Sequence, residues 1–179
     1  MSQVVIEKPP ATEYASAFER YVSRVQESDV VAALARQIDE VIATFDKARG
    51  AGERFRYAPD KWTVREVVGH MVDTERIMGY RAVCVARGEA ASLPGFDENA
   101  YVQNASFDEC PLGELLEEFA QVREGHLAFF RHLSPEAWLR KGLANANPIS
   151  VRALAYVMAG HPRHHLAVFQ ERYLPHLPV

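Results

Sequence analysis

Four of the seven histidines stand where they could bind a metal ion. His161, His164 and His165 lie in one short segment near the C-terminus, and His70 lies far earlier in the chain. Imidazole is the commonest protein ligand for transition metals. Two histidines one helical turn apart, with a third from a facing helix, can hold an ion on three sides and leave further positions open to a substrate.

The C-terminal histidines fall in a segment with helical periodicity. At about 100° per residue, one inward stripe of this helix carries Leu154, Met158, His161, His165 and Phe169. The spacing favours His161 and His165 as the pair that faces the interior, and it places His164 at the rim, where it could support the ligands. Pro162 lacks an amide hydrogen, so we expect the helix to kink or restart there.

His70 lies at the margin of the apolar face of an earlier helix, from which it could reach an ion held by the last one. Glu66 and Asp73 flank it and are candidates to orient a ring nitrogen. Arg81, on the same margin, could bind a substrate carboxylate or form a surface salt bridge. Three imidazoles with an open position suit catalytic zinc, and nickel, iron or manganese would also fit. Alternatively, these histidines are ordinary core or surface residues.

Helical periodicity recurs along the chain, and strand patterning is nearly absent. Thr63 and Glu66 form a capping-box motif at the start of one helix, and Ser28 and Ser150 can cap two others. We therefore predict an all-α fold, a four-helix bundle with short additional helices. A long connection argues against simple up-down-up-down order and could be a lid or a crossover. The predicted helices span about 12–26, 29–48, 63–87, 111–133 and 151–173, with a short one after Ser134, a turn at 145–148 and the connection at about 89–107.

The bulk properties predict one domain over residues 1–179, with an irregular N-terminal arm at about 1–11. A net charge of -4 and a pI of about 6.0 leave no basic field to hold nucleic acid or an anionic membrane. No apolar run approaches the ~20 residues that span a bilayer. Without a signal-like N-terminus, we expect a cytoplasmic protein whose Cys84 and Cys110 stay reduced and take no part in catalysis.

Several of these motifs, in this order and at these separations, resemble the DinB-like superfamily over roughly residues 13–175. The resemblance is carried by 57–76, by 150–165 with 171–173, and by 81–97 between them. It implies a four-helix bundle, often dimeric, with a three-histidine site for one divalent ion. The family's ligands map onto His70, His161 and His165. Pro162 departs from the acidic or polar residue expected at that position.

The resemblance also implies possible functions. Members of the family include metal-dependent thiol S-transferases, which use low-molecular-weight thiols such as bacillithiol or mycothiol, and metal-dependent hydrolases. We favour a zinc- or nickel-dependent thiol S-transferase that acts on small electrophiles, working as a homodimer. The alternatives are a hydrolase of the same fold, a non-catalytic metal-binding stress-response protein, and a bundle without metal.

Overall fold

The computed structural model describes residues 6–178 of the chain. The helices of this part are α1 (Glu19–Val22), α2 (Val30–Phe45), α3 (Val64–Ala86), α4 (Glu98–Ala105), α5 (Leu112–Arg131), α6 (Pro135–Leu139) and α7 (Val151–Val168). A two-stranded antiparallel hairpin, β1 (Lys141–Ala144) and β2 (Asn147–Ser150), precedes α7. The predicted class is confirmed, because the architecture is a four-helix bundle with short additional helices.

The four long helices do not follow one another around the bundle. Helix α3 packs against α5 and α7, and α2 packs against the same two helices. Helices α2 and α3 therefore lie diagonally across the bundle, as do α5 and α7. In a simple up-down-up-down bundle, consecutive helices would be neighbours. Helix α1 packs along α7 at one end.

Local capping explains where the two helices with the histidines begin. Thr63 accepts a hydrogen bond from the Glu66 amide, and the Glu66 carboxylate accepts one from the Thr63 amide, which confirms the capping box. The Ser150 hydroxyl accepts from the Ala153 amide, which confirms that cap as well. The cap of α2 is Asp29 rather than Ser28, because the Asp29 carboxylate accepts from the Ala32 amide.

The predicted helix at 12–26 is wrong in extent. This segment folds as two 3-10 turns, Ala11–Glu13 and Ser16–Phe18, followed by the single turn of α1. Glu13 is buried, and its carboxylate accepts hydrogen bonds from the Ser150 hydroxyl and from Nε and Nη2 of Arg152. These bonds hold Glu13 in place and favour the irregular path over a continuous helix. Of the predicted N-terminal arm, residues 1–5 lie outside the described residues.

Two further predictions need correction, and a third is confirmed but incomplete. The 89–107 connection holds α4, whose first turn Asp97 caps by accepting from the Asn99 and Ala100 amides. The predicted turn near 145–148 is confirmed at Asn145 and Ala146, but the hairpin strands on either side of it were not predicted, because they are too short to give a strand pattern. Helix α7 does not restart at Pro162 but runs through it to Val168, and the chain then continues as one π-helical turn, Phe169–Tyr173.

The core of the bundle is mainly apolar but contains several groups of buried polar side chains. The apolar residues form two clusters, one towards each end of the long helices. The two largest polar groups are His70 with His161 and His165, and a set around Arg123; Glu13 with Ser150, and Thr74 and Arg81 on α3, are also buried. Among the helices within residues 6–178, none has both the length and the apolar character that crossing a bilayer requires.

Candidate metal centre

The structure brings His70, His161 and His165 together inside the bundle. Nε2 of His161 lies 3.0 Å from Nε2 of His70 and 3.0 Å from Nε2 of His165. All three side chains are buried, and one donor nitrogen from each falls within 4.8 Å of the others. We call these three residues the histidine cluster. The i, i+4 pair on α7 faces inward despite Pro162, since α7 stays helical there.

Hydrogen bonds alone cannot satisfy these nitrogens. A ring nitrogen carries either one N–H or one lone pair, so it makes one in-plane hydrogen bond. Nε2 of His161 therefore cannot satisfy both of its neighbours, whereas a cation can take a lone pair from each ring. Two nitrogens bound at about 2.05 Å to one ion lie about 2.9 Å apart at a right angle and about 3.3 Å apart at a tetrahedral angle. The observed 3.0 Å separations lie between these two values.

Burial keeps the three imidazoles in the form that binds metal. Desolvation lowers the pKa of His70 from 6.5 to about 4, with a smaller contribution from the nearby His164. Desolvation also holds the pKa of His161 and of His165 well below the ordinary value, and the neighbouring imidazoles lower both further. Because metal binding requires neutral imidazole, the cluster is ready to bind an ion at neutral pH.

Aromatic side chains enclose the cluster. The ring of Trp62 lies 4.7 Å from the ring of His70, centroid to centroid, and the ring of Tyr21 lies edge-on to His161 at 5.2 Å. Gly160 permits the second contact, because a Cβ at this position would stand 2.0 Å from the Tyr21 carbonyl oxygen. Helix α1 can therefore approach α7 closely enough to place Tyr21 against the cluster. Sequence reasoning missed Tyr21, and the glycine next to His161 was the only local sign of a close approach.

The two flanking carboxylates do not orient the ligands as the sequence suggested. Glu66 serves the capping box, where its carboxylate accepts from the Thr63 amide and lies near Arg56. Asp73 is half-buried, and desolvation raises its pKa while the nearby Arg76 opposes that change. Within residues 6–178, neither carboxylate accepts a hydrogen bond from the histidine cluster. Glu66 and Asp73 lie on neighbouring turns of the same side of α3 as His70, but their carboxylates interact with the Thr63 amide and with Arg76 instead.

His164 and Arg81 are placed closer to the site. The ring of His164 is half-buried, and its centroid lies 5.1 Å from that of His165 and 5.8 Å from that of Tyr21. His164 therefore lies at the rim of the histidine cluster. Arg81 is only 4% exposed. Its guanidinium forms no ion pair with any of the described residues, which contradicts the surface-salt-bridge interpretation.

Two cavities reach the histidine cluster by separate routes. The first, of about 250 Å³, is lined by His161, Tyr21, Thr74 and Arg81, and we call it the Arg81 cavity. The second, of about 290 Å³, is lined by His165, His164, Trp62 and Tyr173, and we call it the His164 cavity. No residue lines both. Helix α4 lies where they separate, since Glu98 lines the Arg81 cavity and its neighbour Asn99 lines the His164 cavity.

The second buried polar group, which sequence reasoning also missed, surrounds Arg123 on α5. Arg123 binds Glu75 through Nε at 2.6 Å and Nη2 at 2.8 Å. Glu75 also lies 3.1 Å from Nδ1 of His126, and Gln37 accepts from Arg123 while donating to the Ala159 carbonyl. We call Arg123, Glu75, Gln37 and His126 the Arg123 cluster. Its hydrogen bonds connect α2, α3, α5 and α7. They reach α7 at the carbonyls of Met158 and Ala159, within one helical turn of His161.

Two features together define the class of protein. The bundle places α2 diagonally opposite α3 and α5 opposite α7, and three buried histidines converge inside it. The model of the DinB superfamily matches residues 33–169, which is most of the chain, and the chain therefore belongs to the DinB superfamily. Comparison with curated proteins found no match.

Among solved structures, the chain is similar to YfiT from Bacillus subtilis, with a TM-score of 0.68 and 17% sequence identity over 92% of this chain and 91% of that chain. YfiT is described as a probable metal-dependent hydrolase with an unusual four-helix bundle topology. At this identity the similarity establishes the fold alone.

Proposed function

We propose that this protein is a metal-dependent transferase that attaches a low-molecular-weight thiol to a small electrophile. The divalent ion, zinc or nickel, would be held by His70, His161 and His165. The observation that carries the proposal is that two separate cavities open onto one histidine cluster, the first at His161 and the second at His165. A transferase has two organic substrates to bring to one centre, whereas a hydrolase needs room for one organic substrate and a water molecule.

The character of the two cavities supports this division. The Arg81 cavity has apolar walls that include Phe18, Met78 and Phe96, and such walls suit the carbon skeleton of an electrophile. Polar atoms make up a larger share of the lining of the His164 cavity, which includes Lys61 and Asn99, and such a lining suits a hydrophilic thiol. Both volumes are those of small molecules rather than of a polymer segment.

The chain's own residues bind, orient and shield the reactants. The three imidazoles offer converging neutral lone pairs to one ion, and the cavities at His161 and His165 give the substrates room beside it. The rings of Trp62 and Tyr21 limit the access of water to the cluster. An ion bound there would supply Lewis-acid activation, which lowers the pKa of a thiol or a water bound to it. In the transfer, a C–S bond forms, the bond from carbon to its leaving group breaks, and the thiol proton is released to solvent.

A second candidate is a metal-dependent hydrolase. It is favoured by the similarity in fold to YfiT, for which that activity has been named. A hydrolase with these residues would use the same three ligands and an activated water in place of the thiol. One cavity would then be left without a substrate, which is why we place this candidate second. The homodimer remains a prediction from the family resemblance.

The deciding experiment assays both reactions with the same protein. Untagged protein loaded with zinc or nickel is incubated with an alkyl halide and a panel of thiols, including cysteine, bacillithiol and mycothiol, and S-conjugates are measured by mass spectrometry. A parallel assay follows hydrolysis of ester and amide substrates without thiol. We expect thiol-dependent conjugation that His161→Ala abolishes, and His132→Ala, which changes an exposed histidine outside the cluster, should retain it.

Hydrolysis without conjugation would replace the proposal with the second candidate. Conjugation that survives in His161→Ala would show that the histidine cluster is not the active centre. Metal-loaded protein that turns over none of the thiols or esters would favour the non-catalytic alternative.

A further inference from the structure

Arg81 is a buried cation that has no counter-charge among the residues the structure describes. It lies on α3 and is 4% exposed, and burial lowers its pKa. Its Nη2 donates to the Pro94 carbonyl at 2.7 Å, and its Nη1 lies 3.6 Å from the Met78 sulfur, a weak acceptor. A guanidinium has five N–H donors. The guanidinium carbon also lies 5.8 Å from the centroid of the Phe96 ring, but no carboxylate within residues 6–178 pairs with its charge. Most of its hydrogen-bonding capacity, and a charge without an anionic partner among these residues, therefore remain for a ligand.

Other arginines in this protein show what a structural role looks like. Arg65 and Arg152 are both at least four-fifths buried, and each binds a glutamate: Glu53 at 2.6 Å and Glu13 at 2.7 Å. Arg123 is fully buried and has a bidentate glutamate. Charges removed from water are normally paired in this way, because desolvation of a lone ion is costly. Arg81 is the exception among these four, and it lines a cavity.

Thr74 provides a second, independent indication in the same cavity. Its hydroxyl oxygen is the only buried side-chain nitrogen or oxygen within residues 6–178 that has no hydrogen-bond partner. Thr74 is 5% exposed and lines the Arg81 cavity. Buried hydroxyls are ordinarily satisfied, and an unsatisfied one calls for a physical cause. A ligand oxygen in the cavity would provide the missing partner.

The two residues lie on one stripe of α3 that leads away from His70. His70, Thr74, Met78 and Arg81 follow one another at helical spacing, and Met78 also lines the cavity. Side chains on a helix lean towards its N-terminus, so the Arg81 side chain leans back towards Thr74 and the histidine cluster. The contact of Arg81 with Met78, three residues earlier, agrees with this direction.

We propose that the Arg81 cavity binds a carboxylate carried by one of the two substrates. The Arg81 guanidinium would donate to the carboxylate, the Thr74 hydroxyl would donate to the same substrate nearer the histidines, and the reactive atom would lie at the cluster. The identity of the reacting substrate rests on the proposed function, but carboxylate binding does not. The other charged residues that line this cavity are Arg20 and Glu98, both exposed, so the cavity carries a net positive charge.

The direct test is a binding measurement that needs no turnover. The probes are 4-phenylbutyrate and its amide, titrated calorimetrically into metal-loaded wild-type protein and into Arg81→Gln. We expect the acid to bind wild type about tenfold or more tightly than the amide, because charge-assisted hydrogen bonds dominate such discrimination. In Arg81→Gln the acid and the amide should bind with about equal affinity. Arg87→Gln, an exposed arginine on the C-terminal side of α3 that does not line the cavity, is the matched control and should keep the preference.

Two further variants distinguish a carboxylate bound by Arg81 from one bound by the metal ion. Thr74→Val removes the unsatisfied hydroxyl without changing the volume, so it should weaken binding of the acid severalfold without lowering the melting temperature. It remains informative if Arg81→Gln fails to fold. His161→Ala should keep the preference for the acid. If the preference is lost in His161→Ala but kept in Arg81→Gln, the carboxylate binds the metal ion and the proposal is overturned, as it is if wild type binds acid and amide equally.

Two matched pairs of substrates identify the source of the carboxylate. Cysteine and cysteamine differ by a carboxylate on the thiol, and 4-(chloromethyl)benzoate and its amide differ by one on the electrophile. An Arg81-dependent difference in KM for either pair supports the proposal and names the substrate. An active enzyme with no such difference for either pair would overturn it. If there is no turnover at all, the proposed function fails alone, and the calorimetry still decides the question of the carboxylate.

Discussion

Two groups of polar side chains share the interior of this bundle, and they differ in how well their atoms are satisfied. Arg123 has an acceptor for each of its five N–H groups: two from Glu75, one from Gln37, and the carbonyls of Leu34 and Met158. The histidine cluster and the Arg81 cavity next to it have converging lone pairs, and they also hold a hydroxyl that finds no hydrogen-bond partner, and a cation that finds no anionic one, within residues 6–178. Polar groups that complete one another hold a fold together, whereas those that do not are available to a ligand.

The largest expected effect comes from breaking the complete group. Arg123→Met should lower the free energy of unfolding by about 3–5 kcal/mol, because it leaves the Glu75 carboxylate buried without its cation. Arg76→Met is the matched control between the same two helices. Arg76 pairs with Glu118 at the surface, where such a pair contributes at most about 1 kcal/mol. Urea denaturation measures both, and equal effects would contradict the structural role of the Arg123 cluster.

The two groups should also respond to acid in different pH ranges in metal-free protein. The pKa of His70 is about 4 in the folded state and 6.5 in the unfolded state. The unfolded state therefore binds more protons between these values, and stability falls as the pH is lowered through this range. His70 alone should account for about 3 kcal/mol, since a tenfold difference in proton affinity is worth about 1.4 kcal/mol.

The Arg123 cluster should respond only at lower pH. Burial opposes ionisation of Glu75, but Arg123 and His126 hold its pKa below the ordinary 4.5. Its contribution to stability is therefore complete above pH 4.5 and is lost as the pH falls further. Denaturation curves of wild type and His70→Asn from pH 7 to pH 4 test this difference. If His70→Asn shows the same loss of stability as wild type over that range, the buried neutral state assigned to His70 is incorrect.

The smallest effects should come from two hydroxyls, and they should have opposite signs. Thr74→Val should raise the free energy of unfolding by about 1 kcal/mol, because it replaces an unsatisfied buried hydroxyl with a methyl group of similar shape. Ser150→Ala should lower it by about 1–2 kcal/mol, because Ser150 caps α7 and donates to Glu13. Thermal unfolding of both variants measures the two changes in stability. A loss of stability in Thr74→Val would mean that the Thr74 hydroxyl of the wild type has a hydrogen-bond partner.

Most of the bundle could be predicted from sequence because its signals are local. The capping box at Thr63, the cap at Ser150 and the inward stripe that holds His161 and His165 each depend on residues within a few turns of one helix. The structure confirms the helices that these patterns indicated. It also places the three histidines together, as the facing-helix hypothesis required.

The missed features depend on contacts between distant segments. Nothing near Arg123 indicates that an arginine in α5 is fully buried, because its partner Glu75 comes from another helix. Tyr21 reaches the histidine cluster only through the close approach of two helices at Gly160. Because Glu66 is near His70 in sequence, we expected its carboxylate beside the histidines. The hydrogen bond from the Thr63 amide holds that carboxylate at the start of α3 instead.

The central claim, that the histidine cluster holds a metal ion, is tested most directly by the metal content of untagged protein. Elemental analysis of wild type, His161→Ala and His132→Ala, each dialysed after incubation with zinc or nickel, gives the number of ions per chain. The account predicts about one ion in wild type and in His132→Ala, and almost none in His161→Ala. Wild-type protein that binds neither metal, or His161→Ala protein that retains a full equivalent, would contradict it.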